Sequence, residues 1–217
     1  MAIITNYGEL LTALSDYEFH QRFANRYDTC IHNFEKAANR RLRTRRQENS
    51  AFLTTSSLSP PITQGFCDLP SDYLLWRTVL WTGRSPYVEL DYVHPAYLRS
   101  TWLETDHGNP KVFTIEGDTF FAAPVDDSTA AYEFHYYRKI DSIVGAQEGI
   151  LADNWLLADY SDAYLFGVLT ELAALGRNAE MAQLYKGRRD EVFAEIIQLS
   201  ALTTGATSPK VRTADYF

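Results

Sequence analysis

"SDAYLFGVLTELAAL", residues 161–175, carries charge only at Asp162 and Glu171, and its apolar side chains point in nearly every direction around a helical turn. A helix that is apolar all round belongs inside a protein. Ala163, Gly167 and Ala174 share one face at helical spacing and leave room for a neighbouring helix backbone to approach. Two readings fit this stretch: a central helix of a bundle, or a helix packed between subunits. In both, other helices must cover it, and that requirement sets the fold class.

Working outward, the helical pattern extends from Asn154 to about Leu202. It stops and restarts at "LGRNAE" (175–180), where Gly176 can take a positive φ and Asn178 can cap the following helix. The segment is therefore read as an αα-hairpin. Residues 6–46 are also read as helical, with Leu10, Leu11, Leu14, Phe19, Phe23, Tyr27, Ile31, Phe34, Ala38 and Leu42 at three- and four-residue steps. Ser15 with Glu18 has capping-box spacing for a new helix, and a break near Ala24 and Asn25 explains the same pattern.

Between the helical ends, from Phe52 to Ile140, Ser, Thr, Pro and Gly become frequent and separate short runs rich in Val, Ile, Tyr, Phe and Trp. The expected strands are Tyr73–Thr82, Tyr87–Asp91, Lys111–Glu116, Thr119–Ala123 and Ala131–Arg138. Gly117-Asp118 makes a hairpin turn, and Pro95 opens a short helix in "HPAYLRSTW". The expected fold class is α+β: a helical bundle built from N- and C-terminal helices with an inserted antiparallel β-rich domain. The expected divisions are residues 1–50, 51–148, 149–204 and a C-terminal tail, 205–217.

The 217 residues are 46% hydrophobic and 14% aromatic, ample for a core, with a net charge of −8 and a pI near 5.1. Positive charge is local: residues 1–50 carry eight basic and six acidic groups, whereas the rest carries 12 and 22. An acidic chain is a poor general binder of nucleic acid. Cys30 and Cys67 have no metal or redox spacing around them and read as packed thiols in a reducing compartment. No leader-like start or membrane-length apolar run appears, so a soluble protein made in the cytoplasm is expected.

Motifs for metalloprotease, P-loop, dinucleotide-binding and nucleophile-elbow chemistry are absent from the sequence. His20, His32, His94, His107 and His135 are scattered singly. The carboxylate pairs Asp126-Asp127, Asp159 with Asp162, and Asp190-Glu191 read as a solvated turn, helix caps and an ion-pair face. No catalytic residue, metal site or cofactor is assigned.

The conspicuous feature is "NRRLRTRRQ" (39–47), with Arg40, Arg41, Arg43, Arg45 and Arg46 inside seven positions. It has three readings: a solvated helix end at the negative pole of the helix dipole, a contact with carboxylates of another protein, or a contact with DNA phosphates. Five guanidinium groups so close together repel unless something anionic lies near. No recognition-helix or base-stacking motif accompanies them. The tail "GATSPKVRTADYF" (205–217) has no periodicity, and Tyr216-Phe217 is either an aromatic anchor or a frayed end.

Five segments in order, "FEKAANRRLRTRR" (34–46), "DLPSDYLLWR" (68–77), "GNPKVFTIEGDTFFAAP" (108–124), "YEFHYYRKI" (132–140) and "DNWLLADYSDAYLFGVLTELAAL" (153–175), resemble the head-to-tail adaptor (connector) proteins of tailed bacteriophages, especially short-tailed ones. The likeness covers about residues 5–200. It implies a structural virion protein at the head–tail junction, synthesised in the host cytoplasm, without cofactor or catalysis. It also implies a homo-oligomeric ring, typically twelvefold, beneath the portal protein, with a tail nozzle or tail tube protein below and genomic DNA in the channel. In such a ring the arginines become a belt of charge able to grip an acidic portal surface or line the channel, and Tyr216-Phe217 becomes a docking anchor for the next tail component. Two rivals from other classes are a virion-associated cell-wall hydrolase, which needs two carboxylates in a cleft, and a DNA-binding phage protein, whose affinity for duplex falls steeply with salt.

Overall fold

The computed structural model describes residues 4–17, 22–54, 65–102, 107–126 and 131–203. In chain order the helices are α1 (Tyr7–Ser15), α2 (Tyr27–Arg41), α3 (Pro95–Thr101), α4 (Trp155–Asp159), α5 (Ser161–Leu175) and α6 (Ala179–Thr203). The strands are β1 (Glu48–Thr54), β2 (Gly65–Asp68), β3 (Tyr73–Trp81), β4 (Val88–Glu89), β5 (Asp91–Tyr92), β6 (Val112–Glu116), β7 (Thr119–Ala123) and β8 (Ala131–Arg138). The fold is mixed α+β. The described residues fall into two compact units, one within Met1–Gln47 and Ile140–Phe217, the other within Glu48–Lys139.

The first unit is helical. Asn6 starts α1 by accepting the Glu9 N–H at 3.0 Å, and Glu9 in return accepts the Thr5 N–H at 2.7 Å. The apolar helix read from residues 161–175 is α5, and helices of its own chain bury it: Ala163, Tyr164, Leu165, Gly167, Val168, Leu169, Leu172 and Ala173 are all inside. Gly167 is there because a Cβ on it would run into the Phe34 ring of α2. Phe34 then packs edge-on to Tyr164 at 4.7 Å between ring centres and lies 6.0 Å from Phe193 of α6. Of the small face seen in the sequence, only Ala174 is exposed.

A buried carboxylate ties the returning chain to this core. Glu35 of α2, 4% exposed, accepts hydrogen bonds from Ser142 Oγ at 2.7 Å, the Ile143 N–H at 3.0 Å and Tyr164 Oη at 3.1 Å. Asn154 donates to the Asp141 carbonyl and to Tyr164 Oη while capping α4 through the Leu157 N–H. Burial, with the Glu35 charge beside it, pushes the Tyr164 hydroxyl well above the usual phenol range.

The second unit holds two four-stranded sheets, ordered β1-β8-β3-β4 and β2-β7-β6-β5, antiparallel except for the short β5–β6 pair. Along β8 the period of two is plain: Tyr132, Phe134 and Tyr136 are buried, while Glu133, His135 and Tyr137 are not. Those buried rings join Val79, Trp81, Phe113 and Phe120 in one core. The β6–β7 hairpin turns at Gly117-Asp118 with Glu116 opposite Thr119, as read, and Gly117 has φ +59. Pro95 opens α3, with His94 Nδ1 accepting the Ala96 N–H.

Four expectations need correction. The helix read over 6–46 is broken: α1 ends at Ser15, a 3₁₀ turn at Ala24–Arg26 precedes α2, and α2 stops at Arg41 because Leu42 turns extended (φ −87, ψ 132) to bury itself. Between Ser15 and Tyr27 the described residues thus hold a break that includes Ala24 and Asn25, and the capping-box partner Glu18 lies outside the described residues. The strand read at Tyr87–Asp91 is two strands in different sheets, hinged at buried Leu90. At the end of α5 the positive φ belongs to Arg177 (+56), not Gly176 (−74). There the Arg177 N–H bonds Ala174 O and the Asn178 N–H bonds Ala173 O, a Schellman pairing that puts the left-handed residue at Arg177. Asn178 caps α6 by accepting the Met181 N–H, as expected. Finally, β1 and β2 were not among the expected strands.

Candidate functional site

The arginine block spans the last turn of α2, the extended Leu42–Thr44 link and a 3₁₀ turn at Arg45–Gln47. It is not a uniform run of solvated charge. Leu42 and Gln47 are fully buried and Thr44 nearly so, while Arg40, Arg41, Arg45 and Arg46 are exposed and Arg43 is half-buried. Gln47 closes the turn: its N–H donates to Thr44 O at 2.9 Å, and its Oε1 accepts the Thr44 N–H at 3.2 Å. The buried residues act as pegs that fix where each guanidinium emerges.

The anions that the block requires are partly in the chain itself. Arg41 pairs with Asp190 of α6, 149 residues away in sequence. Arg189, almost fully buried, donates to the same carboxylate at 2.8 and 3.0 Å. Both cations also lie over the Phe193 ring, at 5.0 and 5.9 Å from its centre. Burial acts to raise the Asp190 carboxyl, but the hydrogen bonds and charge of Arg41 and Arg189 outweigh it and hold the group below the usual carboxylate range. Arg46 pairs with Asp159 at the end of α4 at 3.0 Å. Arg43 donates to the carbonyls of Asn39 and Leu42, satisfying the end of α2. The Arg45 N–H donates to Ser200 Oγ at 3.3 Å. Of the five, Arg41 and Arg46 are the ones seen paired with carboxylates, whereas Arg40 and Arg43 have none at ion-pair distance among the described residues.

Beside the block lies a groove of about 340 Å³ lined by Thr44, Arg45, Arg46, Trp155, Asp159, Tyr160, Ile196, Leu199 and Ser200. Its lining joins the aromatic and aliphatic side chains of Trp155, Tyr160, Ile196 and Leu199 to two guanidinium groups and the Asp159 carboxylate. Sequence spacing did not reveal it, because three elements far apart in the chain build it.

The carboxylate pairs are engaged elsewhere. Asp126 is not a solvated turn residue but a half-buried acceptor for Trp81 Nε1 at 3.0 Å; Asp127 lies outside the described residues. Asp159 serves Arg46, Asp162 accepts the Ala163 N–H at 2.9 Å, and Glu191 meets Arg188 at 3.5 Å. Burial pushes the Cys30 thiol up to about 11 and Cys67 to about 12, so both stay protonated and unreactive at neutral pH. Among the described residues no group of three or more His, Cys, Asp or Glu is placed to hold a metal, and no helix is long and apolar enough to cross a membrane. The anchor Tyr216-Phe217 lies outside the described residues.

A family model described as SU10 adaptor protein matches residues 5–213. The chain belongs to the SU10 adaptor protein family. It is therefore a bacteriophage adaptor, a structural component of the virion, as the five-segment resemblance anticipated. No curated protein matches it. The SU10 adaptor match takes in both units, the whole arginine block and the groove, and stops short of Asp215-Tyr216-Phe217.

Proposed function

We propose that the protein is a head-to-tail adaptor that assembles as a ring, twelvefold in copy number, beneath the portal protein, joins the capsid to the tail, and continues the DNA channel. In this reading the N- and C-terminal helices form one bundle, the β-rich domain is inserted between them in the sequence, and residues 205–217 are an extension toward the neighbouring component. The protein works by shape and charge, not catalysis, at the head–tail junction of the virion after synthesis in the host cytoplasm. The observation that carries the reading is the family match over nearly the entire chain.

Within the ring the arginine block has divided labour. Arg41 and Arg43 hold the segment in place, and Arg40, Arg45 and Arg46 present charge outward to acidic portal surface, with non-specific contact to genomic DNA in the channel as a lesser role. Tyr216 and Phe217 dock on the tail nozzle or tail tube protein. The division is supported by the pairing of Arg41 with Asp190 and of Arg43 with the α2 carbonyls.

The test is negative-stain imaging of the purified protein mixed with its portal. Rings capping the portal are expected, and they should be lost in an Arg40→Ala/Arg45→Ala/Arg46→Ala variant whose circular dichroism is unchanged. Virions that assemble normally without this protein at the vertex would refute the reading.

A further inference from the structure

We infer that the groove beside the arginine block is the receptor for the chain's own C-terminal residues Asp215, Tyr216 and Phe217, which it holds within the same molecule. This goes beyond the adaptor reading and does not depend on it: the contact belongs to the free chain, and the portal and tail contacts proposed above for Arg45, Arg46, Tyr216 and Phe217 follow its release. The groove asks for a particular occupant. Ile196 is buried at its floor, Leu199 is 44% exposed, and Trp155 and Tyr160 are half-exposed. Water over such a surface is displaced favourably by aromatic side chains. Arg45 and Arg46 in its lining suit a carboxylate next to those rings, Arg46 already meeting one in Asp159. In residues 204–217 an acid adjoins aromatics only at Asp215-Tyr216-Phe217.

Reach favours the same molecule over a second copy. Leu199 and Ser200 line the groove within about one turn of Thr203, where α6 ends, roughly 5 Å along the axis. The ten residues 205–214 can span about 33 Å when extended and average roughly 17 Å as a flexible chain. Gly205 and Ser208-Pro209 supply the turn chemistry for a reversal. A tether of that length presents its end at an effective concentration on the order of millimolar, well above that of free protein. The Arg46–Asp159 pair is 67% and 41% exposed at its side chains; a pair so open to solvent is readily exchanged for a new carboxylate. While seated, the aromatic end is withheld from any other surface.

The test uses full-length protein and a labelled synthetic peptide of residues 208–217, read by fluorescence anisotropy. The peptide should bind a Tyr216→Ala/Phe217→Ala variant at least tenfold more tightly than the unaltered chain, whose own end competes. Adding Arg45→Glu/Arg46→Glu to that variant should weaken peptide binding at least tenfold. Leu199→Glu, at an exposed helix position, should do the same without touching the arginine segment. Failure of the variant to bind, equal binding by both chains, or competition that vanishes on diluting the unaltered chain would each overturn the intramolecular arrangement. None of these readouts involves portal, ring or virion.

Discussion

The helical unit and the sheet unit solve the same problem, joining distant pieces of chain, with different forces. In the helical unit, polar ties cross long sequence gaps: Glu35 reaches Ser142 and Ile143, and Arg41 reaches Asp190. In the sheet unit the ladder carries the backbone, and stacked rings such as Phe113 on Phe120, 5.7 Å apart, fill the space between. Its one buried side-chain oxygen without a hydrogen bond among the described residues, Thr114 Oγ1, does nothing for the fold. Buried polar groups in the first unit are therefore joints; the second unit has ties of that kind at its edges, such as Trp81 to Asp126, but carries Thr114 Oγ1 inside it as a passenger.

That contrast is most exposed to test at Glu35. Glu35→Ala leaves a hydroxyl, an amide N–H and a phenol without their shared acceptor, and should cost about 3 kcal/mol or more in denaturant unfolding; a loss under about 1 kcal/mol would demote the joint. Gly167→Ala should cost about 2–3 kcal/mol, because the rigid Phe34 ring must move to admit a methyl group. A change of the same size made in the sheet unit should do far less: Thr114→Val removes an unsatisfied hydroxyl at constant shape and should leave the melting temperature unchanged or slightly raised.

A smaller effect is expected at the surface joint. Because the folded chain holds the Asp190 carboxyl below its ordinary value, the unfolded chain takes up the proton first. The tie is then fully present above about pH 4 and fades as pH falls through the lower folded value. Melting curves from pH 6 to pH 2 should show Asp190→Asn less stable than the unaltered chain at the upper end, with the gap closing as acid is added. A gap constant across that range would deny the ion pair its share. Smallest of all, Arg177→Gly should stabilise the α5–α6 turn by about 0.5–1 kcal/mol, since glycine takes φ +56 without the cost borne by arginine.

Local pattern was enough to read β3, β6, β7, β8, the Gly117-Asp118 turn, α3 and the buried character of α5, because each announces itself within a few residues. It did not reveal β1, whose "ENSAFLT" lacks alternation and leaves Phe52 68% exposed; only the pairing with β8 makes it a strand. Nor could it divide Tyr87–Asp91, where the change of sheet at Leu90 is decided by which neighbours are present on either side. For the site, the five arginines were plain in the sequence, but Asp190 and Asp159 were not legible as their counter-ions, since no spacing rule spans such gaps. The groove was invisible for the same reason: Trp155, Ile196 and Leu199 read singly as ordinary helix residues.

One consequence of the buried pegs Leu42, Thr44 and Gln47 concerns how the cations meet a partner. Arginine-rich stretches are commonly loose arms that lose freedom at the moment of contact, which weakens the complex. Here the backbone of residues 42–47 is fixed by folding, so in the proposed contact the outward charges would arrive already aimed, and recognition would depend on where they stand as much as on how many there are.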